Sequence, residues 1–278
     1  MSVASLSLPR RSNANTVIGG TIVLTLLLVA LFGPSIVPYN PVALDLVAKL
    51  QESGARHWLG TDEFGRDVLS RLVYSARASV FISVATVALA ILFGMAFGVL
   101  VGYVRGWMDR VVMTFNDALL AFPGLLLALG IMAITGASRN AVVIALGLAY
   151  MPAVVRVARA SVMSVREREY IEASRVMGNS ELTTMLRHVM PNCIAPMTVL
   201  ATTMFGWVIL AESALSFLGL GVPPPAPTWG NMLAAGRPYI TQAPHLIVLP
   251  GLCISATLLG INMLGDAIRD WLDPKMMG

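Results

Sequence analysis

The sequence predicts an all-α membrane protein that crosses the bilayer six times. Hydrophobic residues make up 56% of the 278-residue chain and charged residues only 12%, whereas soluble domains carry about 25% charged residues. Six apolar segments approach the length of about 20 residues that a helix needs to cross the hydrocarbon core. The arginines and lysines are distributed unevenly among the connecting loops, and this asymmetry orients the bundle.

The six predicted spans divide the chain into a short tail, a first helix, a loop segment and a larger core. The third span is interrupted by Asp117, and the fourth is short but can extend past Arg156. The spans are residues 17–37, 79–104, 111–134, 140–155, 193–212 and 246–267. The remaining predicted units are a tail of residues 1–16, a segment of residues 38–78, a five-helix core of residues 79–270 that contains a charged loop at 156–191, and a tail of residues 271–278.

Basic residues favour one orientation of this bundle. Loops on the cytoplasmic side of membrane proteins carry an excess of Lys and Arg. Most of the 19 basic residues fall at the termini, after the second and fourth spans, and in the loop 156–191. Most of the others lie in residues 38–78, where they are mixed with acids. We therefore expect both termini and the charged loop on the cytoplasmic side. The net charge of +4 is explained by these loop arginines, and nothing in it indicates a nucleic-acid partner.

The segment 38–78 is predicted to lie outside and to contain an amphipathic helix. Beyond Asp67, apolar residues recur at helical spacing with arginines between them. This pattern is typical of a helix that lies at the membrane interface. The segment is either a lid that seals the bundle or a docking edge for another protein.

Glycines of the second span recur at a strict four-residue spacing. Small residues at this period let two helix backbones approach closely in lipid. We therefore expect Gly94, Gly98 and Gly102 to form a packing seam within the bundle.

The charged loop predicts a helix, a glycine turn and a second short helix. Residues 167–177 are rich in helix-forming side chains. Gly178 follows, where helices often end in a left-handed turn. Asn179 or Ser180 can cap the next helix.

The second short helix is predicted to be amphipathic. Its apolar residues share one face, and Pro191 is expected to end it, because proline lacks an N–H and disfavours helix before it. The apolar residues are Leu182, Met185, Leu186 and Val189. Such a unit either docks in a groove of a partner protein or lies on the bilayer.

The amino-acid sequence of this loop resembles that of a known protein family. Glu172-Ala173-Ser174, three further residues, Gly178 and a closing Met190-Pro191 resemble the cytoplasmic signature loop of ABC importer permeases. The Arg187-His188 and Pro191-Asn192 pairs are similar to the peptide and nickel branch of that family. Further matching blocks run from about Trp58 to Pro274. Ser174 and Met190 depart from the usual Ala and Leu, and both changes in shape are small.

The resemblance implies a type I ABC importer permease with the MetI-like fold. It implies a subunit that passes short peptides, delivered by a periplasmic binding protein, across the bacterial inner membrane. The implied partners are a homologous permease subunit in a heterodimer and two ABC ATPase subunits. Nickel chelates, opines and glutathione remain alternative cargoes. The residues expected to couple the channel to an ATPase are Glu172, Ala173, Ser174, Gly178, Leu182, Met185, Leu186 and Pro191, with Leu182, Met185 and Leu186 as apolar anchors.

The sequence shows no catalytic residues, metal ligands or cofactor motif. None of its lysines follows a glycine in a G-K-[ST] motif, so ATP and Mg²⁺ would be bound by the partner ATPases. Asp117 and Glu212 are the intramembrane acids that call for explanation. For both, structural pairing or capping is favoured over contact with substrate.

Two other classes of function are weaker. An ion-coupled secondary transporter would be expected to show inverted repeats and a broken-helix site, and the charged loop would have no purpose in it. An intramembrane enzyme would need a nucleophile with a base, or metal ligands, within the bilayer.

Overall fold

The computed structural model describes the backbone of residues 11–272 and the side chains of residues 14–271. This part of the chain is helical apart from its loops and one isolated bridge between Thr61 and Asp67. The predicted tail residues 1–10 and 273–278 lie outside the described residues. The α-helices, in chain order, are α1 (Arg11–Ile36), α2 (Val68–Val104), α3 (Gly106–Leu120), α4 (Gly124–Thr135), α5 (Arg139–Arg166), α6 (Glu169–Val176), α7 (Glu181–Thr184), α8 (Ile194–Phe217), α9 (Trp229–Gly236) and α10 (His245–Leu272).

The predicted number of spans is confirmed when one bent pair counts as a single span. Within residues 11–272, five helices are long and apolar enough to cross a membrane. Four of them lie in α1, α2, α5 and α10, and the fifth is the segment Glu181–Phe217, which includes α8. The sixth is the pair α3 and α4, which are bent by 91° at the break between them. The chain is thus a multi-pass membrane protein.

The prediction of one continuous third span over residues 111–134 is wrong. Helix α3 ends at Leu120, and α4 starts at Gly124 after Pro123. Proline lacks the N–H that would continue the helix, and it disfavours helical backbone at the residue before it. The break therefore lies at Pro123 and not at Asp117, which is inside α3.

The amphipathic pattern after Asp67 does not form a separate interfacial helix. Asp67 caps α2, its carboxylate accepting a hydrogen bond from the backbone N–H of Ser70 at 2.8 Å. Val68, Leu72 and Ala76 are buried together with residues of α8, α9 and α10. Because this face is covered by the bundle, the helix continues without interruption into the second span, and the expected boundary between residues 78 and 79 lies inside α2.

Helices α2 and α5 run parallel and pack closely through glycines. Added Cβ atoms on Gly94 and Gly98 would lie 2.6 Å from the Cβ atoms of Val154 and Ala158. One on Gly102 would lie 3.2 Å from the Cβ of Val162. The three contacts share one register, and only glycine permits this approach.

The parallel pair defines two ends of the bundle. Helices α2 and α5 begin at Val68 and Arg139, and we call this the far end. They finish at Val104 and Arg166, and we call this the loop end because the charged loop follows it. Between them, α2, α4, α5 and α8 enclose the largest buried apolar cluster, which includes Ile82, Met132, Leu146 and Met204.

Candidate functional site

The charged loop folds into two helices joined by a glycine turn at the loop end. Helix α6 ends at Val176, and Gly178 adopts a left-handed φ of +82°. Its N–H donates to the Arg175 carbonyl at 2.9 Å. Ser180 caps α7 by accepting a hydrogen bond from the Thr183 N–H at 3.2 Å. The turn therefore has the conformation that the sequence predicts.

Ser174 holds the two helices together. It is only 2% exposed, and its hydroxyl lies 3.2 Å from that of Thr184 on α7. The side-chain amide of Asn179 donates to the same hydroxyl at 3.0 Å, and the Asn179 N–H donates to the Ser174 carbonyl at 3.2 Å. A hydroxyl at this position thus joins α6, the turn and α7, a role that the sequence analysis did not assign to it.

An apolar cluster fastens this unit to the bundle. Ile171 of α6 and Val189 are fully buried. They pack in one cluster with Val99 and Tyr103 of α2 and with the end of α5. The unit is therefore attached to both helices of the glycine seam.

Polar contacts reinforce the attachment around Tyr103. The Tyr103 hydroxyl donates to the Glu181 carboxylate, and Arg175 pairs with Glu181 at 3.4 Å. The guanidinium of Arg166 donates to the Tyr103 carbonyl at 2.5 Å. The hydrogen bond with Tyr103 raises the pKa of Arg175 above its ordinary value, so this side chain stays cationic.

The predicted anchors divide between two surfaces. Leu182 and Leu186 are exposed to 61% and 46%. Met185 is half-buried and packs against the cluster that fastens the loop, so it faces the bundle. Glu172, Ala173 and Gly178 are exposed.

Two exposed apolar residues were missed from the sequence. Val176 and Met177 are exposed to 84% and 75% beside the glycine turn. Together with Leu182, which is also exposed, they are the residues that we call the loop surface. Their position in the last turn before a helix-ending glycine is the signal that could have identified them.

The expectation that Pro191 ends the second short helix is wrong. Met185–Val189 form a wider π turn and Met190–Cys193 a 3₁₀ turn, and the chain then continues into α8. Proline is tolerated here because it lies in the first turn of the new segment, where its missing N–H is not needed. The loop is thus continuous with a spanning helix, from Glu181 to Phe217.

The two intramembrane acids occupy different surroundings. Asp117 accepts a hydrogen bond from Arg156 at 2.6 Å, and both side chains are more than half exposed. Glu212 is 1% exposed and accepts from the hydroxyls of Ser216 at 2.9 Å and Thr228 at 2.8 Å. Because Thr228 caps α9, Glu212 ties α9 to α8.

No metal centre is formed by the part of the chain that the structure describes. Residues 14–271 contain no group of three or more His, Cys, Asp or Glu that could hold an ion.

Comparison with known proteins identifies the family. Residues 94–278 match the model of the binding-protein-dependent transport system inner membrane component. Residues 11–52 match the N-terminal transmembrane domain of oligopeptide transport permease C.

Curated relatives cover nearly the whole chain. The di/tripeptide transport system permease protein DppC of Pseudomonas aeruginosa is 43% identical over 93% of this chain and 88% of its own length. The dipeptide permease protein DppC of Alkalihalophilus pseudofirmus is 40% identical over 96% and 88%. The glutathione permease protein GsiD of Pectobacterium atrosepticum is 38% identical over 94% and 87%.

A solved structure shares the fold. The inward-facing MetNI methionine ABC transporter matches with a TM-score of 0.60 at 16% identity, over 73% of this chain and 96% of the other. At this identity the match shows the fold alone, which is the MetI-like fold that the sequence predicts. The chain thus belongs to the binding-protein-dependent inner-membrane permeases of ABC importers, and not to the ion-coupled secondary transporters.

Proposed function

We propose that this chain is a permease subunit through which an ATP-driven importer moves short peptides across a bacterial inner membrane, and that residues 169–184 dock with an ATPase subunit. The observation that carries the proposal is the helix–glycine–helix unit at the loop end. It is fastened to the bundle by Ile171 and Val189 and presents the apolar loop surface to solvent.

The connections of this unit suit the transmission of movement. It reaches α2 through the contacts of Tyr103, it follows α5 after a link of only residues 167–168, and it continues into α8. A displacement of α6 and α7 by a partner would therefore act on three spanning helices at once.

A bilayer-lying helix fits the loop less well. Helices of that kind carry Lys and Arg on the polar face, which attract anionic lipids. The exposed polar face of α6 includes Glu169 and Glu172, and the charge of Arg175 is matched by Glu181. Acidic residues beside the apolar loop surface favour a protein groove.

The assembly follows from the family. A permease of this family implies ATPase and binding-protein partners. We propose a heterodimer with a homologous permease subunit, two ATPase subunits that bind ATP and Mg²⁺, and a periplasmic binding protein at the far end. The bundle leaves an apolar stripe of α3 exposed, at Trp107, Val111 and Phe115, which suits burial against a second subunit or lipid. We propose that both termini lie in the cytoplasm, an orientation that the arginine asymmetry supports.

Short peptides are the favoured cargo. The relatives named above are permeases for dipeptides, for di- and tripeptides and for glutathione, and glutathione is itself a small peptide-like molecule. The described residues offer no cluster of metal ligands, so nickel would have to pass as a chelate. Nickel chelates and opines remain the alternatives.

A matched pair of glycine variants tests the docking role. Gly178 and Gly219 have φ values of +82° and +80°, and an added Cβ meets no atom within 4 Å at either position. Both follow a helix and show the same hydrogen bonds, since the N–H of the next residue donates to the carbonyl five residues earlier. Valine at each costs about 1–2 kcal/mol in the left-handed conformation. We expect Gly178→Val to abolish most substrate-stimulated ATP hydrolysis in the reconstituted transporter, and Gly219→Val, at the far end, to leave it nearly unchanged. Equal activities of the two variants would contradict the docking role.

Uptake measurements test the cargo. A deletion strain is supplied with di- to pentapeptides, with glutathione and with limiting nickel, each in a separate culture. We expect defective peptide use that the wild-type gene restores. Normal use of peptides together with a nickel-dependent growth defect would overturn the peptide assignment and leave the permease assignment intact.

A further inference from the structure

A cleft lies at the far end, between α1, the first half of α2, the start of α5 and the loop at 225–227. Its volume is about 790 Å³. Most of its lining is apolar, including Leu27 and Leu31 on α1 and Phe81 and Val84 on α2. The cleft is therefore a largely apolar groove beside the first spanning helix.

Two arginines lie at this cleft. Arg77 and Arg139 line it together with Tyr74 and Asn40, and both arginines are exposed. The Arg139 guanidinium lies 5.9 Å from the centre of the Phe81 ring. No carboxylate lines the cleft, and neither arginine forms an ion pair with any residue in the described range 14–271.

Helix geometry brings the two arginines together. In the seam, Gly94, Gly98 and Gly102 of α2 face residues whose numbers are 60 higher in α5. Extended toward the far end, this register places Arg77 level with residue 137, close to Arg139. Arg77 also precedes Phe81 by one helical turn, and Phe81 contacts Arg139. The cleft thus concentrates two unpaired positive charges at one level.

That level corresponds to a membrane interface. Arg166 of α5 contacts the carbonyl of Tyr103 at the loop end. From this contact, 26 residues of α2 and 27 of α5 lead back to Arg77 and Arg139, which is about 40 Å at 1.5 Å per residue. The hydrocarbon core is about 30 Å thick, and about 40–45 Å with its headgroup regions. The arginines therefore lie at headgroup depth, and the apolar walls lie at acyl-chain depth.

We propose that this cleft binds one anionic phospholipid of the outer leaflet. Arg77 and Arg139 hold the phosphate by charge-assisted hydrogen bonds, and the acyl chains lie against α1 and α2 along Leu27, Leu31 and Val84. A peptide would leave unpaired backbone groups against these apolar walls, at high cost. The lipid would fill the space beside α1 and join that helix to the permease core. This inference does not depend on the identity of the transported molecule.

Lipid titration of the intact transporter tests the site. The purified complex is titrated with phosphatidylglycerol and, separately, with phosphatidylcholine of the same acyl chains, and bound lipid is counted by native mass spectrometry. We expect one phosphatidylglycerol to bind at least about tenfold more tightly than phosphatidylcholine, because both lipids carry the phosphate but only phosphatidylcholine carries a choline cation, which the two arginines repel. The double variant Arg77→Gln/Arg139→Gln should lose this preference.

Two controls separate charge from folding. Arg237 is also an exposed arginine over an aromatic ring, with its guanidinium 5.0 Å from the centre of Phe217, and it does not line the cleft. Arg237→Gln should therefore retain the preference. The double variant Arg77→Lys/Arg139→Lys keeps both charges and should retain most of it.

Four results would overturn the proposal. They are equal binding of the two lipids by the wild-type complex, an unchanged preference in the double Gln variant, loss of the homologous permease subunit from that variant, and displacement of phosphatidylglycerol by equimolar glycerol phosphate. The third result would make the cleft a protein interface, and the fourth would make it a site for a soluble phosphate.

Discussion

The charge cluster around Asp62 at the far end is buried, whereas the ion pair of the charged loop at the loop end is accessible to solvent. At the far end, Asp62, Arg66 and Arg71 are all less than 9% exposed, and Asp62 contacts both arginines, at 2.6 and 3.2 Å. At the loop end, the pair of Arg175 and Glu181 is largely open to solvent, and three apolar side chains of the loop surface are exposed.

The buried charge cluster is completed within this chain, whereas the helix–glycine–helix unit has an exposed surface that a partner would complete. The charges of Asp62, Arg66 and Arg71 satisfy one another inside the chain, so this cluster closes its own part of the far end, whereas Arg77 and Arg139 lie at the cleft, unpaired within the described residues. The loop end buries one side of its helix–glycine–helix unit and leaves the apolar residues of the loop surface exposed beside acidic ones. A surface of this kind is what a docking site requires before its partner is added.

The largest expected effect comes from breaking the buried charge cluster of the far end. Asp62→Asn leaves Arg66 and Arg71 with less compensation in a buried site, which costs about 3–5 kcal/mol of folding stability. The expected result is a large drop in the thermal unfolding temperature of the purified complex. Glu181→Gln, in the exposed pair of the loop end, should cost only about 0–1 kcal/mol. Similar losses in both variants would remove the contrast between the ends.

The next effect concerns the seam that connects the two ends. Alanine at Gly98 would bring its Cβ to 2.6 Å from the Cβ of Ala158 and 2.7 Å from the Val155 carbonyl oxygen. Overpacking of this kind costs about 1–3 kcal/mol. Alanine at Gly251 meets no atom within 4 Å and should stabilise α10 by up to about 1 kcal/mol. Thermal unfolding of both variants checks the prediction, and equal unfolding temperatures would contradict a close seam.

A smaller effect is expected inside the loop unit. Ser174→Ala removes the hydroxyl that Asn179 and Thr184 contact, which costs about 1 kcal/mol for typical hydrogen bonds. We expect little change in global unfolding but faster amide hydrogen exchange in residues 174–184. Unchanged exchange there would mean that Ser174 does not hold α6 and α7 together. The neighbouring variant Ala173→Ser, at an exposed position, is the control.

Much of the fold could be predicted because spanning helices leave a strong local signal. Five spans are continuous helices with no intervening break, and the glycine spacing predicts a seam that the structure places between α2 and α5. The left-handed turn at Gly178 and the cap at Ser180 also follow from local chemistry.

The remaining errors arise where the structure is determined by helices distant in sequence or by the backbone conformation around a proline. An apolar run conceals the bend at Pro123 because the residues immediately before and after it, 118–122 and 124–127, contain no charged or polar side chain. The sequence predicts that Pro191 ends a helix, but after the preceding π turn the backbone continues through Pro191 in a 3₁₀ turn. The sequence after Asp67 predicts an interfacial helix, because the helices that cover its apolar face cannot be identified locally. These helices, α9 and α10, come more than 150 residues later in the chain. Met185 is half-buried against the end of the bundle, and its role as a docking residue stays a prediction.

The most direct test of the docking role compares two Val→Asp variants, one at each end. Val176 on the loop surface is 84% exposed, and Val47 in the far-end segment is 93% exposed, so neither substitution should disturb folding. A buried, unpaired carboxylate in an interface is costly, and each 1.4 kcal/mol lost is about tenfold in affinity. The measurement is the amount of ATPase subunit that co-purifies with each variant. Our account predicts that Val176→Asp loses at least about nine-tenths of the bound ATPase and that Val47→Asp retains it. Full retention by Val176→Asp, with normal transport, would contradict the docking role of the loop surface.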